Sequence, residues 1–174
     1  MKRLALLAFA AAVAIAAPAV ADDPAKLSDT EIAHVAYTAD NIDIRYAHLA
    51  LALSDSPDVR RFAETMIRDH KAVNQAALDL LKKLGAQADD NFLSQELARN
   101  AEKIVNDLAA RRGADFDRAY AANELAYHQA VNALVAETFI PNIDNAEVKA
   151  LFEKGLAIFR EHEQHAEMMV KMLK

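Results

Sequence analysis

Five ionisable residues stand where an apolar helical stripe would ordinarily be unbroken: Asp43, His70, Glu124, His128 and His162. Carboxylate oxygens and neutral imidazole nitrogens are the donors with which proteins hold iron, manganese, zinc or copper. A bound cation also offsets the cost of taking such groups out of water. For five residues so far apart in sequence to share one site, helices must bring them to one depth and turn them inward.

The elements around them read as all helical. The chain has only 3 Gly and 4 Pro, and its apolar residues recur every three or four positions, with no two-residue alternation that would mark a strand. Ser28-Asp29-Thr30-Glu31 is a capping box, and from it the stripe Ile32, Val35, Ala39, Ile42, Tyr46, Ala50 and Leu53 predicts a first helix ending at Leu53. Ser56 as N-cap and Pro57 in the first turn open a second helix, which Gly85 stops. Residues 86–92 read as a polar connector. Leu97, Ala101, Ile104 and Leu108 then mark a shorter third helix ending at Gly113. The fourth is expected from about Asp115 to Ile140, where Pro141 should stop it, and the fifth from about Asn145 to the C-terminus. The simplest packing is an up-and-down bundle of the four long helices, with the third as an accessory.

Helical phase sorts the polar residues. At about 100° per residue His70 falls roughly 20° from Val59 and Ala77, near the middle of the second helix's stripe. His162 occupies one step of the alternation Val148, Phe152, Gly155, Phe159, Ala166, Met169, Leu173. Glu124 and His128 lie one turn apart on one side of the arc formed by Phe116, Tyr120, Tyr127, Val131, Leu134 and Val135. Asp43 adjoins Ile42 on the first stripe, whereas His34 and His48 point away from theirs. Depth agrees with phase: at about 1.5 Å per residue, Asp43 and His70 both sit roughly 20 Å from the turn at Asp55. Glu124 and His162 are nearly level about Asn142.

Each residue also has an ordinary reading. His70 and His162 could be hydrogen-bonded core histidines, Glu124 and His128 an i, i+4 pair, and Asp43 an acceptor for a tyrosine or Asn74. Glu31-Ile-Ala-His34 has the Glu-x-x-His spacing of di-iron bundles, but it occurs once, with His34 off the apolar face. Near the C-terminus His162, His165, Met169 and Met172 form a soft-donor stripe that could hold copper, although Met at helical spacing is normal core material.

The remaining sequence bounds the function. Lys2 and Arg3, an apolar run from Leu4 to Ala17 and Ala19-Val20-Ala21 predict a secretory signal over residues 1–21, leaving 22–174 as a single helical domain. Export to the periplasm follows, with no stable membrane insertion once the signal is cleaved. The chain is acidic, with a net charge of −6 that becomes more negative when Lys2 and Arg3 are lost. That argues against nucleic acid as a partner. There is no cysteine, hence no disulfide and no thiol nucleophile. Serines cluster at helix starts, where capping explains them, and glycine-rich phosphate loops are missing. A homo-oligomer is compatible with the sequence but not specified by it.

Phe62-Ala63-x-x-Met66-x-x-Asp69-His70-x-x-x-Asn74, then Phe116-Asp117-x-x-Tyr120, His128 and Glu161-His162, resemble the pattern of a family of exported bacterial proteins catalogued as a domain of unknown function. The resemblance implies a ferritin-like helical bundle and brings no established activity. Here Asp43 stands where that family commonly has Glu, and Tyr127 where an acidic residue commonly precedes the fourth-helix histidine. Three functions fit: a metal-binding protein for buffering, sensing or stress protection, a metal-free envelope protein with a buried polar layer, and a ferritin-like oxidase. The last would need paired Glu-x-x-His motifs that the chain lacks.

Overall fold

A computed structural model describes residues 22–174. The expected signal, residues 1–21, lies outside the described residues. After a short 3-10 turn at Pro24–Lys26 come α1 (Asp29–Leu53), α2 (Pro57–Leu84), α3 (Phe92–Ala109), α4 (Gly113–Leu134), a π-helical turn (Val135–Phe139), the brief α5 (Ile140–Asn142) and α6 (Ala146–Met172). No strand occurs among the described residues, and none of the described helices is long and apolar enough to cross a membrane.

Local chemistry accounts for most boundaries. Ser28 Oγ accepts the Glu31 N–H at 3.3 Å, while the Glu31 carboxylate accepts the Ser28 N–H at 2.9 Å, so the reciprocal cap starts α1. Ser28→Ala should cost about 1 kcal/mol in urea unfolding. An unchanged midpoint would show that the Glu31 half of the cap suffices. The corner between α1 and α2 is fixed by Arg60, which donates to the carbonyls of Leu51 (2.7 Å) and Ser54 (3.1 Å). Gly85 then ends α2 at φ 65, a left-handed conformation that costs glycine little.

Two boundaries differ from expectation. α3 begins at Phe92, inside the expected connector, because Asn91 accepts the N–H groups of Leu93 and Ser94 while Ser94 Oγ accepts the Asn91 N–H. It ends at Ala109, and Gly113, with φ 55, opens α4 instead of closing α3. Pro141 likewise does not stop the fourth helix at Ile140. The chain widens into the π turn, Ile140 N–H reaches back to the Val135 carbonyl, and Pro141 falls in the first turn of α5, where its missing N–H costs nothing.

α1 packs most extensively on α2, and α4 on α6, with α2 also against α6 and α1 against both α3 and α4. Asp29 accepts the N–H groups of Asp144 and Asn145, at 3.0 and 2.8 Å, tying the start of α1 to that of α6. Apolar burial falls into two clusters. One gathers Tyr46, Met66, Phe116, Tyr120 and Met169, and the other Ile32, Val35, Phe139, Val148 and Leu156. Along α1, α4 and α6 the polar residues fall between the stretches that feed these clusters, so a polar layer separates two apolar ones.

Candidate metal centre

The structure brings Asp43, His70, Glu124, His128 and His162 together in that layer. Asp43 and Glu124 are wholly buried, and each histidine is at most 3% exposed. One donor atom from each of His70, His128 and His162 lies within 4.8 Å of the others, and the same holds for Asp43, Glu124 and His128. His128 therefore belongs to both triads.

Each imidazole has one nitrogen engaged and the other free. His70 Nδ1 donates to Asp40 Oδ1 at 2.7 Å, His128 Nδ1 to the Glu124 carbonyl at 2.9 Å, and His162 Nε2 to Asp69 Oδ2 at 3.0 Å. These partners assign the tautomers. They leave lone pairs on His70 Nε2, His128 Nε2 and His162 Nδ1, all buried and without a hydrogen-bond partner, as are both oxygens of Asp43 and both of Glu124. Asp43 Oδ2 stands 3.5 Å from His70 Nε2 and 3.4 Å from His128 Nε2. Those separations are long for hydrogen bonds. They match the edge of about 3.4 Å that a tetrahedron of ligands has when each lies about 2.1 Å from a central ion.

Packing holds the rings in place. Phe159 stacks on His70 at 4.5 Å between centroids, and the Tyr127 hydroxyl donates to the Ala39 carbonyl at 2.9 Å. Where the family resemblance leads one to expect an acid, Tyr127 thus braces α4 on α1 and offers the layer no carboxylate.

Charge in the layer is finely opposed. Burial raises the Glu124 carboxyl well above its ordinary range, and the neighbouring Asp43 carboxylate pushes it further. Burial lowers His128, and it lowers His162 to about 4 against the opposing bond to Asp69. For His70 burial is outweighed by Asp43 and by the bond to Asp40, so its pKa is raised; Asp40 is raised too, by burial. Tyr120 beside Glu124 is raised well above its normal value, first by burial, and its hydroxyl has no partner.

Asp40 and Asp69 are the residues that sequence reasoning missed. Asp40 sits next to Ala39 on the α1 stripe and one turn before Asp43, a signal that phase alone could have caught. Asp69 appears in the Asp69-His70 motif of the family resemblance, but phase gave it no role, because it lies outside the α2 stripe and reaches His162 on another helix. A carboxylate on the far nitrogen of a ligating histidine orients the ring and raises its basicity. Asp40→Asn should therefore weaken metal binding by roughly 10–100-fold in a competitive chelator titration. Unchanged affinity would reduce Asp40 to a packing role. Among the discounted residues, His48 is exposed, His34 lies 3.7 Å from Asp90, and Glu31 is spent on its cap.

A family model described as domain of unknown function DUF4142 matches residues 14–169. The chain belongs to the DUF4142 family. No curated protein and no solved structure matches this DUF4142 chain.

Proposed function

We propose that this DUF4142 protein is an exported, ferritin-like helical bundle that holds one divalent transition-metal ion in its buried polar layer, for buffering, sensing or protection. One observation carries the reading: ligand-type oxygens and nitrogens converge in the layer without hydrogen-bond partners. Both oxygens of Asp43 and Glu124 and one nitrogen from each of three histidines are buried without a hydrogen-bond partner, and the hydroxyl beside them is that of Tyr120. An unsatisfied buried polar group costs about 1–3 kcal/mol. A cation held by either triad, with His128 common to both, would satisfy several of these atoms at once, and the Asp40–His70 and Asp69–His162 pairs supply the support that ligating histidines usually have.

The donors are imidazole and carboxylate without sulfur, which suits iron(II), manganese(II), zinc(II) or copper(II). Residues from α1, α2, α4 and α6 projecting into the interior are the way ferritin-like bundles build such centres. An oxidase of that type needs two metals and open positions. With Asp43 and Glu124 as the only carboxylates among the donors, a single ion is the better fit. Localisation to the periplasm rests on the charged start, apolar run and Ala19-Val20-Ala21 of residues 1–21.

Metal-free protein loaded with each ion in turn should melt at a higher temperature, reversibly on adding chelator. An ion at about 100 times its Kd would add about 2.7 kcal/mol. The competing reading, a metal-free polar layer, draws on the proton that burial keeps on Glu124, which could be shared with Asp43. It predicts the same melting temperature with every ion and with chelator.

A further inference from the structure

The soft-donor stripe of the last helix divides in the structure. His162 turns into the buried layer, whereas His165 faces a surface groove of about 270 Å³ together with Met168, Met169 and Met172. Met168, which the sequence stripe omitted, thus takes the place of His162. The four residues have the spacing i, i+3, i+4, i+7 and cover about 100° of one helix face. Phe62 and Thr65 of α2 form the opposite wall, and among the described residues the charges lining the groove, Asp58 and Arg61, are paired with each other.

Two features distinguish this face from spare core. Met168 is 51% exposed and Met172 62%, although both are apolar and the chain has only 5 methionines in all. One imidazole and three thioethers also line one groove, with Met169 buried and the other three side chains exposed. Thioethers bind soft, weakly hydrated cations and discriminate against hard divalent ions, which need anionic oxygen to offset their charge. We propose that His165, Met168, Met169 and Met172 form a second metal site, specific for a soft monovalent cation such as copper(I). It is separate from the buried centre, shares no ligand with it and does not depend on it.

Silver(I), which has the same ligand preference without the redox chemistry, is the probe. Titration of the metal-free full chain with silver nitrate in chloride-free buffer, followed by NMR of the methionine methyl groups, should move Met168, Met169 and Met172. Buried Met66 should stay still as the internal control. The double variant Met168→Leu/Met172→Leu changes only exposed side chains and should weaken silver binding by more than about tenfold. Its melting temperature and its binding of divalent ions should be unchanged. The proposal is overturned if silver does not bind, if it moves Met66 and the core histidines but not these methyl groups, or if the double variant binds it as tightly as the parent. Zinc titrated in parallel reads the buried centre alone, so the two sites can fail independently.

Discussion

In His128→Ala the metal-dependent rise in melting temperature should disappear. His128 is common to both triads, its free Nε2 lies 3.4 Å from Asp43, and its other nitrogen is already committed to the Glu124 carbonyl. Removing it takes a donor from the middle of the donor set and leaves a space that water fills. The loss should exceed the roughly 10–100-fold expected for a residue that only orients a ligand. Calorimetric titration of the parent and variant with zinc checks this, with circular dichroism to show that the variant is still helical. Equal affinity in a folded variant would rule out a centre built around His128.

Glu124→Gln should invert its effect on stability according to whether metal is present. A carboxyl whose folded pKa is raised keeps its proton after the unfolded chain has lost its own. Stability from this group is therefore present below the unfolded pKa, about 4.3, and is lost as pH climbs toward the folded value. Because Glu124 is pushed well up, first by burial and then by Asp43, that loss spans the range from acid toward neutrality. Glutamine does not titrate. Without metal, the variant should gain on the parent by up to about 1.4 kcal/mol per pH unit in this range, read from urea unfolding at several pH values in chelator. With saturating metal the order reverses, since the parent offers an anionic ligand that glutamine lacks. Curves that stay parallel with pH would contradict the assigned burial of charge, and the absence of a reversal would contradict the ligand role.

Much of this layer could be read from the sequence because helical phase is a strict geometric rule. His70 and His162 continued apolar stripes, Glu124 and His128 lay one turn apart, and the turns at Asp55 and Asn142 set common depths. What phase cannot give is which partner a side chain meets across a helix interface. Asp69 illustrates this: it neighbours His70 in sequence, yet it bonds His162 of α6 and is held below the usual carboxylate range, first by Arg68. The start of α3 was hidden because its cap is an Asn91–Ser94 pair, without the Glu or Gln that marks a capping box. The π turn at Val135–Phe139 left no trace in composition, and Pro141 was read as a stop because nothing local announces the widened turn that accommodates it. At the C-terminus, periodicity grouped His162 with His165, but only packing could show that one faces the core and the other a surface groove.

Elemental analysis of the protein, purified from its native compartment and again after loading with iron, manganese, zinc and copper and exhaustive desalting, tests the central claim most directly. One divalent ion per chain is expected, retained by the parent and absent from His128→Ala. No transition metal at stoichiometric level under any loading condition, in protein that remains folded, would contradict the buried metal centre.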